Sequence, residues 1–103
     1  MNNAEKTITS KQRAYLRRLA NAIEPVLHIG KDGVTDNVAK QAWDALEARE
    51  LIKATVQNGS PFSNTREACE SLCEKVHAVA VQCIGKRFTI YRASRNPVIK
   101  LDD

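Results

Sequence analysis

The chain is poor in the residues that would place it in several common classes. It has no apolar run approaching the roughly 18 residues of a membrane-crossing helix. Its start, "MNNAEKTITSKQR", is polar and then basic with no apolar stretch behind it, so nothing resembles a secretory signal. The expectation is a soluble cytoplasmic protein with no membrane association. Three cysteines, Cys69, Cys73 and Cys83, form an odd set without a CxxC pair, and His28 and His77 supply no matching spacing. A structural zinc site wants four ligands, so no metal is expected and the thiols read as buried and reduced. Aromatic residues make up only 5% of the sequence. Phe88 and Tyr91 fall on opposite faces of a strand, which excludes a paired stacking platform on one sheet face.

Catalytic groups are equally sparse. Ser60, Ser63 and Ser71 lack the context of a nucleophile elbow, and Asp36, Asp44, Glu47 and Glu50 fall on one helix with no companion base. His28, between Leu27 and Ile29, reads as a packed or edge histidine. His77 sits near a helix C-terminus, where the helix dipole favours an imidazolium for structural reasons. There is no GxGxxG, and GKDG is too short and lacks the Lys-Ser/Thr of a Walker loop. No catalytic residue and no cofactor are assigned; the chain does not read as an enzyme.

The 103 residues suffice for one compact domain and are too few for two. Sixteen Lys/Arg against twelve Asp/Glu give a net charge of +4, distributed unevenly. Residues 1–34 carry +3, residues 35–50 carry −2, residues 51–77 balance, and residues 78–103 carry +3. If the two ends of the chain meet in space, they form a positive face suited to a polyanion.

Periodicity resolves seven elements. Residues 9–22 read as a helix: Thr9 and Gln12 fit a capping box, and Leu16, Leu19, Ala20 and Ile23 recur at helical spacing. Lys11 and Arg18 project away from that stripe, and Arg13 and Arg17 form an i,i+4 pair along its flank. Pro25 closes the segment. "VLHI" reads as a strand. A second helix follows, with Thr35 as N-cap and an apolar stripe of Val38, Ala42, Ala45 and Leu46. Trp43 flanks that stripe, either as boundary packing or as a base-stacking residue. "LIKATVQ" alternates as a strand with Ile52, Ala54 and Val56 on one side, and "NGSPFSN" is a loop. Asn64 and Glu67 give a second capping box for a third helix with Ala68, Cys69, Leu72, Cys73 and Val76 buried. "AVAVQCI" and "FTIYR" form a hairpin about "GKR". Helix and strand alternate in the order α-β-α-β-α-β-β, so the expected fold is a single α/β domain, a four-stranded mixed sheet packed with three helices. "ASRNPVIKLDD" is a polar tail without clear periodicity. The expected organisation is a flexible segment 1–8, a domain 9–95 and a tail 96–103.

The GKDG stretch, Gly30 to Gly33, ends a strand and opens a helix whose first N–H groups lack intrahelical partners. The helix N-terminus carries about half a positive charge, so the site favours an anion. Glycines at both ends let a sugar-phosphate chain approach the backbone, and Lys31 adds a cation at the tip. KH domains clamp a nucleic-acid backbone with a GxxG loop in this way. A plain tight turn is the other reading of the same four residues.

Taken together, "KQRAYLRRLANAIEPVLHIGKDGVT", "LIKATV" and "NTREACESLCEKVHAVAVQCIGKRFTIYR" resemble the CRM domain, the RNA-binding module of chloroplast splicing factors, and its free-standing bacterial YhbY-type form. The likeness spans roughly residues 9–95. It rests on ordered pieces: KQ then LRRLA, PV then IG, GxxG, LIK, and a final IG-x-x-F-x-x-YR. The resemblance implies a fold similar to the C-terminal domain of the third bacterial translation initiation factor; the chain is expected to be a monomer. It also implies an RNA-binding loop at Gly30, Lys31, Asp32 and Gly33, with Lys11 and Arg17 matching basic positions of the first helix. Arg13 and Arg18 join them from charge and helical geometry. Single-domain bacterial members are associated with precursors of the large ribosomal subunit, so the implied partner is its rRNA. A module binding an acidic ribosomal protein or assembly factor is the alternative. Asp32 departs from a simple phosphate clamp: it repels phosphate unless its side chain turns away or caps the following helix.

Overall fold

The structure, a computed structural model, describes residues 8–101. The expected N-terminal segment, apart from Ile8, and the last two tail residues lie outside that range. Seven elements follow in the expected order: α1 (Ser10–Ala20), β1 (Pro25–Ile29), α2 (Asp36–Arg49), β2 (Leu51–Val56), α3 (Thr65–Val76), β3 (Val79–Ile84) and β4 (Arg87–Tyr91).

Their ends are set by the local chemistry. Both halves of the Thr9–Gln12 capping box form: the Gln12 N–H donates to the Thr9 hydroxyl at 3.0 Å, and the Thr9 N–H to the Gln12 side chain at 2.9 Å. The helix stops at Ala20, two residues short of expectation. The N–H groups of Asn21, Ala22 and Ile23 tighten onto carbonyls three residues back instead. Thr35 caps α2 by accepting from the Val38 N–H at 3.1 Å. At α3 the box is displaced: Asn64 accepts from the Glu67 N–H, but the Glu67 carboxylate accepts from Ser63 rather than from Asn64. The hairpin turn comprises only Gly85 and Lys86, with Gly85 at φ +59 as a two-residue turn requires of its first position. Arg87 belongs to β4.

The sheet order is β1-β2-β4-β3, with β1 and β2 parallel and the other two neighbours antiparallel. The last strand therefore inserts at the centre, and β1 and β3 are the edges. On one face, Leu27, Ile29, Ile52, Ala54, Phe88 and Ile90 pack beneath Leu46 of α2 and Leu72 and Val76 of α3. On the other face, Leu51, Val81 and Tyr91 receive Leu16 and Ala20 of α1. Phe88 and Tyr91 do lie on opposite faces. The two central strands are covered on both sides, which explains why β4 is buried almost throughout rather than alternately. Among the described residues, no helix is long and apolar enough to cross a membrane.

The segment beyond β4 is bound to the body by Glu50, at the C-terminal cap of α2. Its side chain is fully buried and its backbone adopts φ +69, an uncommon conformation for a residue with a Cβ. One carboxylate oxygen accepts from the N–H and hydroxyl of Ser94 at 2.7 and 2.9 Å, and the other from the N–H groups of Val98 and Ile99 at 3.0 and 2.7 Å. Burial alone would raise the Glu50 pKa; these hydrogen bonds from Ser94, Ile99 and Val98 outweigh it and hold the carboxyl below its ordinary value. Ile99 and Leu101 then join the cluster beneath α1. The polar tail expected from composition thus carries two apolar anchors and a carboxylate clamp.

Candidate nucleic-acid interface

The GKDG stretch forms a tight turn closed by the Gly33 N–H donating to the Gly30 carbonyl at 3.0 Å. Lys31 and Asp32 occupy its tip and are exposed. The two glycines answer to neighbours within the protein. Gly33 is buried with φ +72, and a Cβ there would lie 3.0 Å from Pro61 Cγ. A Cβ on Gly30 would meet the Gln57 side-chain oxygen at 3.2 Å. The turn is therefore packed against the loop after β2, which fixes where its tip points. Thr35 fills the N-cap of α2, and among the described residues Asp32 makes no hydrogen bond or ion pair.

The basic residues of α1 divide into two sets. Lys11 and Arg18 are exposed, and the Arg18 guanidinium lies 5.7 Å from the Tyr15 ring centroid. Arg13 and Arg17 turn towards β3. Arg13 donates from Nη1 to the carbonyls of Ala80 and Val81, the second at 3.2 Å. The two ends of the chain do meet, since α1 covers both β3 and the tail. The fold does not, however, bring Arg13 and Arg17 beside GKDG: the loop follows β1 and the two arginines lie along β3, the opposite edge of the sheet.

Side chains not singled out in the sequence occupy the space between. The C-terminal ends of β1 and β2, the hairpin turn and the N-termini of α2 and α3 share one end of the sheet. There an open cleft of about 620 Å³ is lined by Phe62, Ser63, Asn64, Thr65, Arg66 and Lys86, among others. Lys86 Nζ donates to Asn58 Oδ1 at 2.9 Å, and the Thr65 hydroxyl to the Gly85 carbonyl at 2.7 Å, tying hairpin and loop together. Arg66 sits in the charge-balanced segment of the sequence and Lys86 in the hairpin of its basic C-terminal segment. Only the β4-central topology reveals that they share this end.

Other candidates have structural occupations. One face of Trp43 is covered by the Arg92 guanidinium, 3.9 Å from the ring centroid, and His77 abuts it edge-on at 6.3 Å. Arg92 also pairs with Glu47 at 2.8 Å and donates to the Val76 carbonyl at 2.8 Å, so one of the five basic residues of 78–103 is withdrawn from the surface. Trp43 serves as boundary packing, still 44% exposed. His77 takes the left-handed conformation at the C-cap of α3, and His28 is exposed on edge strand β1. The three thiols are free and converge between α3 and β3, with Cys69 buried as expected but Cys73 and Cys83 only partly so, because they lie towards the margin of the core. Cys69 is pushed far up by its hydrogen bond to Cys73 and by burial, and Cys83 is pushed up to about 11 by burial and the neighbouring Cys69.

The class defined by this geometry is a small single α/β domain with a lysine-tipped turn between a parallel strand and a helix start. The chain belongs to the CRS1 / YhbY (CRM) domain family, whose model matches residues 8–92. It is 40% identical over 89 residues to "Probable RNA-binding protein YqeI" of Bacillus subtilis (strain 168), covering 85% of this chain and 91% of that one. It is 32% identical over 95 residues to a Haemophilus influenzae protein named "RNA-binding protein", covering 92% of this chain and 95% of that one. The fold matches the solution structure of the hypothetical protein SAV1595 from Staphylococcus aureus, with a TM-score of 0.79 and 42% identity over 93% of this chain and all of that one.

Proposed function

We propose that this protein binds RNA by its sugar-phosphate backbone, and that it acts without catalysis, in the cytoplasm and as a monomer, on the rRNA of precursor large ribosomal subunits. The observation that carries the reading is the GKDG turn. It holds Lys31 at an exposed tip directly before α2, where the macrodipole and unpaired N–H groups favour an anion. The names of the Bacillus and Haemophilus relatives support RNA as the partner. Lys11, Arg13, Arg17 and Arg18 of α1 add positive charge on a second surface. Contacts of this kind position a protein and carry little sequence information, so selectivity among RNA sequences is weak.

Binding to single-stranded RNA should fall with salt at a log–log slope of about −0.7 per phosphate neutralised. Lys31→Ala should lower the slope by one such contact and leave the thermal melt unchanged, because the side chain is exposed. Affinity indifferent to salt would refute the backbone clamp. For the rRNA assignment, the tagged protein should co-sediment with large-subunit precursors at low salt and leave them at high salt. Migration only with free protein would reject it, and a footprint that requires a protein partner would favour an acidic protein as the target.

A further inference from the structure

The free edge of β3 is flanked by three arginines from two helices on opposite faces of the sheet. Arg13 and Arg17 come from α1 and Arg66 from the first turn of α3, and with Val79–Ile84 they line an open groove of about 710 Å³. Among the described residues the ion pairs are Lys40–Asp44 and Arg92–Glu47, so none of these three guanidiniums is paired. Glu70, one turn beyond Arg66, makes no ion pair with it either. The contrast with Arg92 is informative: this fold neutralises the arginine it buries and leaves these three facing an open channel.

A bare edge strand ordinarily invites another strand. Here Arg13 donates to the carbonyls of Ala80 and Val81, at the irregularity in register between Ala80 and Gln82. Two carbonyls of this edge are thus already engaged by Arg13 at the point where the register breaks, which interrupts the ladder an added strand would need, and the groove presents guanidinium beside the backbone. A guanidinium fork matches phosphate oxygens in geometry and charge.

The groove also continues from the loop. Arg66 lines both it and the neighbouring cleft with Lys86 and Phe62. Phe62 Cε2 lies only 3.6 Å from where a Cβ on Gly33 would stand. From β1 to β3 is three strand spacings, about 14 Å, a distance that roughly four stacked nucleotides cover at about 3.4 Å each. We propose that the groove between α1 and the N-terminus of α3 is a second phosphate-binding stretch for the same RNA strand. Arg66 and Arg17 take backbone phosphates there, Arg13 holds the floor, and Lys86 stands between the groove and the GKDG turn. The inference rests on RNA being the ligand, and it accounts for how α1 takes part although it lies far from the loop.

The test uses the full chain and a fluorescein-labelled oligouridine of about twelve nucleotides, with anisotropy followed across a salt titration. Arg66→Gln should lower the log–log slope by about 0.7 and weaken binding about fivefold at about 0.1 M salt. Arg66→Lys should keep the slope, and Arg66→Gln with Lys31→Ala should lower it by about 1.4. Arg17→Gln should act as Arg66→Gln does. Both arginines are exposed, so circular dichroism melts should not move. If Arg66→Gln binds as wild type while Lys31→Ala is weakened, the groove is refuted and the loop reading stands. If Arg66→Gln is weakened and Lys31→Ala is not, the groove stands and the loop reading fails. A labelled oligoglutamate that binds as tightly as the RNA, and loses as much on Arg66→Gln, would overturn the proposal in favour of an acidic peptide.

Discussion

Replacing Glu50 by glutamine isolates the clamp that fastens residues 94–99 to the body. The carboxylate accepts four hydrogen bonds in a site closed to water. Glutamine keeps one acceptor oxygen. Facing the amide towards Ser94 is the least damaging arrangement, because the hydroxyl can turn to accept, but the Ser94 N–H then meets another donor. One buried donor left unmatched costs about 1–3 kcal/mol, and the bonds that survive lose their ionic character. The expected loss is about 2–4 kcal/mol, a fall in Tm on the order of 10–20 °C for a domain of this size. The pH dependence has a definite sign. The folded-state pKa of Glu50 is lowered from 4.5, so its contribution is fully present above that value and disappears as pH falls through the lower, folded one. The gap between wild type and Glu50→Gln, measured by urea unfolding, should therefore be widest near neutrality and close in acid. Amide exchange at Ser94, Val98 and Ile99 should quicken in the variant before global unfolding does. Equal stabilities at neutral pH, or a gap that persists unchanged into acid, would refute the clamp.

Two further expectations concern packing and reactivity. Gly33→Ala should lose about 1–2 kcal/mol from the left-handed backbone alone, with more from the 3.0 Å approach to Pro61, whereas Gly30→Ala should be nearly neutral because the flexible end of Gln57 can withdraw. Urea midpoints decide, and equal losses would contradict the packing account of the turn. With its pKa pushed up to about 11, Cys83 should alkylate slowly in the native protein, the thiolate being about one part in a thousand at pH 8 and rising about tenfold per pH unit. Labelling at the rate of an ordinary surface cysteine would show that the thiol is not shielded as described.

Local signals accounted for most of the elements. The Thr9–Gln12 box, the Thr35 cap and the apolar stripes of α2 and α3 are encoded within a few residues, and each appears where the sequence places it. The GKDG turn and the opposite facing of Phe88 and Tyr91 were legible for the same reason. The non-local partners were not. Ser94 and Ile99 meet Glu50 from 44 and 49 residues away, and neither the polarity of the tail nor the acid at the end of α2 announces the other. Arg13 finds its carbonyls 67 and 68 residues on. The strand order also depends on the hairpin folding inward, so that β4 pairs with β2; periodicity is silent on that choice. It is this order that separates the GKDG turn from Arg17 and sets Arg66 and Lys86 between them.

The Glu50 clamp, the Arg92–Trp43 stack and the C-terminal ends of α2 and α3 all gather at the end of the sheet where Leu51 pairs with Tyr91. The GKDG turn and the hairpin occupy the other end. Along the strand axis, one end of the molecule is thus crowded with tertiary anchors, and the other carries the turns proposed to touch RNA. Lys31 and Asp32 are exposed and can be exchanged with little risk to the fold, and the partly exposed Trp43, the sole tryptophan, is a fluorescence reporter placed among the anchors, where unfolding should quench or shift it.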